Sequence, residues 1–377
     1  MRKRRTKTKP KLGLVDLWVV IPVLVLVIIG VWLVFDASYA KAADARWTGH
    51  DPWYLAKKQI LSVFIGLAAM WIVSRIRITT ISKLTIPLLV VSIVLLIAVL
   101  VPGIGYKANG AYRWFRFHGI TLQPSEIAKV ALVLYLARFL SQGKRVVQTI
   151  DSRWLPPAFI VGTITALIYK EPDLGTAIVV VFTCIAMLFA AGARKWHIGG
   201  IFAAGALLIA AAVKLTPYRM ERVQVWLDPW TYRYDKSYQI VHSLMALGTG
   251  GWRGVGLCEG REKLYIPAAS TDFIFSTVGE EAGLIGGVIL LSVFLFFICK
   301  GLDVARRAKS VYSNLLAVGV TSMIGLQVLI NVAVVTASIP ATGVPLAFIS
   351  YGGSSLILTL AGVGVLLAVS RQSPEKE

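Results

Sequence analysis

Between Arg253 and Gly286 the chain reads RGVGLCEGREKLYIPAASTDFIFSTVGEEAGLIG, with Glu259, Arg261, Glu262, Lys263, Asp272, Glu280 and Glu281 standing between two apolar runs. A charge at the centre of a bilayer span costs about 2.5–3.5 kcal/mol on insertion scales, so such residues face a partner or a watery cavity. Asp272 sits at the apolar edge of this stretch beside Phe273 and Phe275. Burial there would raise its carboxyl pKa toward neutrality and suit it to proton abstraction. The competing reading makes Asp272 a cap for the following helix, as STD before an apolar run permits; the residues alone leave both open. Lys263 and Arg261 could bind a phosphate group, one as a point charge and the other as a fork. Glu280 and Glu281 could share the cavity with Asp272, or one of them could cap the span.

Two further constellations carry polar groups into apolar surroundings. In QPSEIAK, 123–129, Pro124 and Ser125 mark a helix start with Ser125 a candidate cap, and Glu126 and Lys129 follow three residues apart on one helix face. They form either a local ion pair that shields itself or a functional face, and their cost inside a span favours the second. Arg113 and Arg116 lie in the preceding connection, on the same expected side of the membrane. In KEPDLGTA, 170–177, Pro172 and Gly175 interrupt the helix and Asp173 can cap the next one. A hairpin turn and a direct substrate contact are equally compatible with that segment. Together these residues suit an anionic, amphipathic ligand such as a lipid-linked pyrophosphate, which needs cations, rings to stack on sugars and an apolar groove. No Walker loop or dinucleotide fingerprint is present, so no nucleotide is expected.

The elements that position these residues are membrane spans. Of the 377 residues, 56% are hydrophobic and 15% charged, far from a soluble domain. Ten apolar runs have a length near the roughly 17–25 residues that cross a bilayer: 15–35, 59–74, 84–102, 124–140, 154–169, 174–192, 198–213, 275–300, 314–336 and 354–370. The period-two alternation of a barrel is absent. We therefore expect an all-α integral membrane protein with one polytopic domain, 15–371, between a basic tail, 1–14, and a short tail, 372–377. The net charge of +20 invites a nucleic-acid reading, but it collects in tails and connections. Arg2, Lys3, Arg4, Arg5, Lys7, Lys9 and Lys11 precede the first span, which suits anionic lipid headgroups and a cytoplasmic amino terminus. An even number of spans returns the other end to the cytoplasm, and no small-residue cleavage site follows the first run.

Two segments break the pattern of short connections. Residues 214–274 form a long extracytoplasmic loop rich in aromatics (Trp226, Trp230, Tyr232, Tyr234, Tyr238) and basic residues (Arg219, Arg222, Arg233, Lys236). Its rings could form an interfacial belt, but loops this long are usually functional. Apolar spacing within 238–247 predicts a helix along or re-entering the membrane. Residues 336–355, TASIPATGVPLAFISYGGSS, predict a broken or re-entrant element lining a cavity. Cys184, Cys258 and Cys299 show no metal or disulfide spacing, and the four histidines are scattered, so surface or solvated roles are expected for them.

Six long segments in order resemble the shape, elongation, division and sporulation (SEDS) family, FtsW, RodA and SpoVE. They are GAYRWFRFHGITLQPSEIAK, EPDLGTA, WLDPW, YQIVHSLMALGTGGWRGVGL, KLYIPAASTDFIFSTVGEE and PATGVPLAFISYGGSS. WLDPW and SLMALGTGG look more like the FtsW/SpoVE branch than RodA. The resemblance implies a peptidoglycan glycosyltransferase of about ten helices in the bacterial plasma membrane. Such an enzyme polymerises lipid II at the outer face and works with a class B penicillin-binding protein, a transpeptidase. The family's essential aspartate falls on Asp272, and its helix-borne glutamate and lysine fall on Glu126 and Lys129.

The same resemblance implies a single displacement. Asp272 would take the proton of the acceptor 4-hydroxyl, and undecaprenyl pyrophosphate would leave the growing chain. Lys129, the outer arginines and a divalent cation (Mg or Mn) could neutralise the leaving group, with Glu126 orienting Lys129 or helping to hold the cation. The chain departs from the family at Ala268 and Ser270, where a glutamate and often a histidine are usual. It also departs at Glu171, usually glutamine, at Ala347, usually proline, and at Cys258 and Glu259 in a run that is often glycine-rich. The rival reading from another class is a transporter that flips lipid II across the bilayer, since broken helices and polar spans fit it too. A scaffold that only recruits a transpeptidase ranks last, because it leaves Glu126 and Lys129 without a purpose.

Overall fold

All ten apolar runs fall on helices in the computed structural model, which describes residues 13, 15–108, 111–117, 120–143, 147–149 and 152–372. The basic residues from Arg2 to Lys11, Lys144 and Arg145, and the tail beyond residue 372 lie outside the described residues. The helices are α1 (Leu17–Asp44), α2 (Tyr54–Arg75), α3 (Ile78–Val99), α4 (Pro124–Leu140), α5 (Leu155–Lys170), α6 (Leu174–Ala190) and α7 (Lys195–Lys214). They continue with α8 (Pro217–Leu227), α9 (Tyr238–Gly250), α10 (Glu262–Tyr265), α11 (Ile274–Glu281), α12 (Gly283–Arg306), α13 (Val311–Val335) and α14 (Gly353–Ser370). Six of them, α1, α2, α3, α12, α13 and α14, are long and apolar enough to cross a membrane, and α5 and α6 are shorter apolar helices.

Local chemistry sets the helix starts. Asp16 accepts a hydrogen bond from the Trp18 amide at 3.0 Å and caps α1. Asp173 caps α6 through the Thr176 amide at 3.0 Å, satisfying a donor that the first turn leaves unpaired. α4 opens on Pro124 after Gln123, so Ser125 is not the cap expected of it: proline at the first helical position moves the boundary back, and Ser125 Oγ is left buried without a partner. The middle of the molecule belongs to α13 and α14, each 67% buried along its apolar window, against 22% for α2. α14 lies against α2 because glycines let the backbones close: a Cβ on Gly364 would stand 2.7 Å from Met70 O.

The span expected at 275–300 is two elements. α11 ends at Glu281 and α12 begins at Gly283, whose φ of +65° is open to glycine without strain. A Cβ at Gly283 would stand 2.4 Å from the Gly254 nitrogen, and one at Gly254 would stand 2.0 Å from Glu281 O. The long loop thus threads against the break between the two helices. The long loop itself holds α8, α9 and α10, with α9 on the predicted helical segment, and residues 336–352 between α13 and α14 are non-helical.

A small antiparallel sheet, β1 (Tyr106–Ala108), β2 (Ala111–Phe117) and β3 (Ile120–Leu122), joins α3 to α4. Lys107 pairs with Tyr112 and Phe115 with Leu122. Side chains alternate across β2, so Arg113 and Arg116, three apart, point to opposite faces.

Candidate active site

The backbone of the Asp272 turn is held at three successive carbonyls. Ser270 O accepts from the Tyr351 amide at 2.8 Å, Thr271 O from Ser350 Oγ at 2.6 Å, and Asp272 O from Asn331 Nδ2 at 2.7 Å. Asn331 Nδ2 also donates to Val344 O at 2.8 Å, and Gln59 of α2 donates to Ser350 O at 3.3 Å. Ser350 and Tyr351 belong to the non-helical segment 336–352, so that segment and α13 together hold the backbone that carries the Asp272 carboxyl. Gly343, at φ +77°, leaves the space beside it open: an added Cβ would sit 3.6 Å from Asp272 Oδ2. Asp272 does not cap α11, whose cap residue is Phe273.

Charge collects around this carboxyl from three other elements. Burial first, and then the negative charge of Asp173, push Asp272 up to about 6, against the pull of Arg113 and Arg222. Arg113, on the inward face of β2, donates through Nε to Glu171 O at 2.6 Å and through Nη2 to Pro172 O. Arg222, on α8, donates to Ala341 O at 2.7 Å. The Asp173 carboxylate accepts from Gln123 Nε2 at 3.0 Å and Thr176 Oγ1 at 2.9 Å. Glu171 is fully buried with neither carboxyl oxygen partnered, and burial, then Asp173, raise it to about 9. A carboxylate that is ionised at neutral pH yet still basic, flanked by two guanidinium groups, can take a proton from a hydroxyl while developing negative charge is stabilised beside it.

Glu126 and Lys129 form a buried ion pair of 2.9 Å. Lys129 Nζ also reaches Gln327 Oε1 at 3.3 Å, and Gln327 Nε2 donates to Pro345 O at 2.9 Å. Gln327 and Asn331 are four apart, on one face of α13, so the pair and the Asp272 turn hang from neighbouring rungs of one helix. Arg116 lies on the other face of β2, its guanidinium 5.2 Å from the centre of the Tyr106 ring.

The remaining sequence candidates gather elsewhere. Glu280 lies eight residues beyond Asp272, about 10 Å along α11. Its Oε1 accepts from the Arg261 and Glu262 amides at 2.7 and 3.0 Å. Lys263 is buried between Asp36 of α1, at 2.6 Å, and Glu281. Burial pushes the Lys263 ammonium down, but the hydrogen bonds to Asp36 and Glu281 outweigh it and hold the pKa up. Glu281 also accepts from the Cys258 amide at 3.0 Å. These groups tie the long loop to α1 and α11, and the Arg261 side chain is exposed. His242 is not the solvated residue expected: Nδ1 lies 2.5 Å from Glu262 Oε2, and its ring packs against Tyr238 and Tyr265. Among the described residues no group of three His, Cys, Asp or Glu side chains is placed to hold a metal.

The family model described as Cell cycle protein (FtsW, RodA, SpoVE) matches residues 17–375. The chain belongs to the FtsW/RodA/SpoVE family. Stage V sporulation protein E of Bacillus subtilis (strain 168) is 40% identical over 368 residues, covering 97% of this chain and 98% of that protein. The probable peptidoglycan glycosyltransferase FtsW of Geobacter sp. (strain M18) is 40% identical over 356 residues, covering 94% and 96%. Among solved structures, a chain of a peptidoglycan synthase complex that coordinates polymerization and crosslinking superposes with a TM-score of 0.78 at 31% identity, covering 95% of this chain and 98% of that one. The rod shape determining protein RodA of Thermus thermophilus superposes with a TM-score of 0.70 at 27% identity, covering 96% and 98%. As a member of this family the chain is a multi-pass membrane protein.

Sequence reasoning singled out Asp272, Glu126, Lys129 and Arg113, counted Arg222 only among the loop arginines that could neutralise a leaving group, and left Asn331 and Gln327 without roles. A signal for the two amides was present: they stand one turn apart inside an otherwise apolar span, where polar groups are costly. Arg222 is recognisable only once α8 is folded against Ala341.

Proposed function

We propose that this FtsW/RodA/SpoVE-family member is a peptidoglycan glycosyltransferase that polymerises lipid II at the outer face of the bacterial plasma membrane, with both termini in the cytoplasm. The observation that carries this reading is the Asp272 carboxyl, fixed through three backbone carbonyls and flanked by Arg113 and Arg222. Asp272 takes the proton of the acceptor's sugar 4-hydroxyl. That oxygen forms a bond to the anomeric carbon of the growing chain, with inversion. The carbon–oxygen bond to undecaprenyl pyrophosphate breaks, and the leaving group departs with the electron pair. Arg113 and Arg222 offset the charge that builds on the pyrophosphate, so no acid is needed. The Glu126–Lys129 pair lies within α4, where Glu126 and Gln327 hold the Lys129 ammonium behind the same site. A class B penicillin-binding protein is the partner, in keeping with the synthase complex that this fold resembles.

The test is polymerisation of purified lipid II by the reconstituted protein, with and without a class B partner, beside Asp272→Asn. Wild type should build strands and the variant should lose at least about a hundredfold in rate, the scale of a lost general base, with an unchanged melting temperature. Full activity in a folded Asp272→Asn would remove Asp272 from the base role. Passage of lipid II across vesicle bilayers without any strand would replace polymerase by transporter.

A further inference from the structure

α8 has two working faces. Arg219, Arg222 and Trp226 recur at three- and four-residue spacing on one of them. Arg222 bonds to Ala341 O and Trp226 Nε1 to Ala337 O, both at 2.7 Å, while the Arg219 guanidinium lies 3.8 Å from the centre of the Tyr169 ring. That face closes the catalytic centre. Pro217, Met220, Glu221 and Gln224 recur on the opposite face and, with Tyr232 and Lys236, line a separate cavity of about 480 Å³, within the range of small-ligand sites.

The wall facing α8 across this cavity is built by the chain itself. Asp228 accepts from the Thr231 hydroxyl at 2.6 Å, and Ser237 donates to Pro229 O, folding residues 228–237 into a closed loop. The aromatic residues of this stretch divide. Trp226 and Tyr238 turn inward to Ala337 and His242, which removes them from an interfacial belt. Tyr232, 40% exposed, faces the cavity, and Trp230 and Tyr234 stand exposed beyond it.

The charge of the cavity is balanced, since Glu221 pairs with Lys236. The charge of a pyrophosphate is met elsewhere, by Arg222 on the other face of the helix and by Arg113 of β2. What remains here is a tyrosine ring, an amide, a proline, a methionine and a valine beside one internally neutralised ion pair. This set matches a neutral N-acetylated amino sugar, which offers C–H faces to a ring and hydroxyl and amide groups to Gln224 and to the ends of the ion pair.

We propose that this cavity is a saccharide subsite that holds the amino-sugar strand one helix width, about 10 Å, beyond the reacting bond. The proposal rests on the polymerase reading and adds to it a place for the strand outside the catalytic centre. A polymerase that keeps its strand gains from a neutral hold of this kind, because the pyrophosphate at the growing end is exchanged at every addition: the donor's leaves and the acceptor's takes its place.

The experiment titrates soluble N-acetylglucosamine oligomers, which carry no lipid or phosphate, into the full-length protein in nanodiscs. Binding should weaken by about three- to tenfold in Tyr232→Ala and in Gln224→Leu. It should be retained in Tyr232→Phe, which keeps the ring, and in Asp272→Asn, which keeps the cavity. Melting temperatures equal to wild type confirm that α8 is still folded in each variant. With lipid II as substrate, Tyr232→Ala should shift the product toward shorter strands. Equal oligomer affinity in wild type, Tyr232→Ala and Gln224→Leu would overturn the subsite. So would an absence of oligomer binding combined with loss of transpeptidase affinity in the same variants, which would make the cavity a protein-docking site. If wild type makes no strand but still binds oligomers through Tyr232, the polymerase reading fails and the saccharide site stands.

Discussion

At the scale of single residues, the site is governed by where carboxyl groups are allowed to ionise. Asp272 sits at about 6 because burial and Asp173 outweigh Arg113 and Arg222. The rate of strand synthesis should therefore be level near neutral pH and fall about tenfold per unit well below pH 6 as the base becomes protonated; initial rates from pH 5 to 8 check it, and a flat profile would detach the rate from this carboxyl. Glu171 presents the opposite case, raised to about 9 by burial and by Asp173. It stays neutral at physiological pH, so glutamate here keeps the charge of the glutamine usual in the family. The unfolded chain ionises this group near the ordinary glutamate value while the folded chain holds its proton, so the folded state loses stability as pH rises from about 4.5 toward 9. Glu171→Gln removes that loss. The variant should be more stable than wild type by on the order of 1–3 kcal/mol at pH 8 and about equal to it near pH 4.5, read from melting curves in detergent. Asp272, Glu126 and Lys129 were legible in the sequence because a charge beside an apolar run is conspicuous. Arg222 was not, since its approach to Ala341 joins positions 119 residues apart, and no spacing rule reaches that far.

At the scale of elements, the spans were legible because an uncharged apolar run of bilayer length is costly to keep in water and at home in hydrocarbon, and the non-helical 336–352 between α13 and α14 falls within the broken segment expected at 336–355. The break at Gly283 was hidden because the apolar run passes through it without change; only the backbone conformation and the proximity of Gly254 reveal it. The small sheet was not legible, because AYRWFRF does not alternate and its two arginines stand three apart; yet it decides that Arg113 reaches Glu171 O while Arg116 does not. Glycine at 254 is required twice over, by φ of +82° and by the 2.0 Å separation an added Cβ would have from Glu281 O. Gly254→Ala should therefore displace the outer loop from the α11–α12 break and destabilise the protein by about 1–3 kcal/mol or more. The same loop continues to the Asp272 turn, so polymerising activity should fall with it. Measured together, a melting temperature and an activity both equal to wild type would show that the loop does not depend on this contact.

At the scale of the whole molecule, the arrangement has a direction. The β-sheet, α8 and the loop that carries Cys258 and Asp272 all lie at one end of the helical bundle, while the first and last helices meet at the other, where the Gly13 amide bonds to Arg371 O at 3.0 Å. The proposed orientation places the first of these ends outside the cell. The native cysteines test it without engineering. Cys184 is buried, Cys299 is exposed on the flank of α12, and Cys258 is exposed on the long loop. Burial, and then Asp36, raise the Cys258 thiol above its usual value, so its thiolate is scarce at neutral pH and an impermeant maleimide should be applied at mildly alkaline pH. On intact protoplasts the reagent should label the protein at Cys258, and Cys258→Ser should remove the signal. Cys299 should stay silent because hydrocarbon around α12 admits neither the reagent nor a thiolate. Labelling of Cys258 only after the membrane is opened would put Asp272 on the cytoplasmic side, where the lipid-linked strand could not be extended outward.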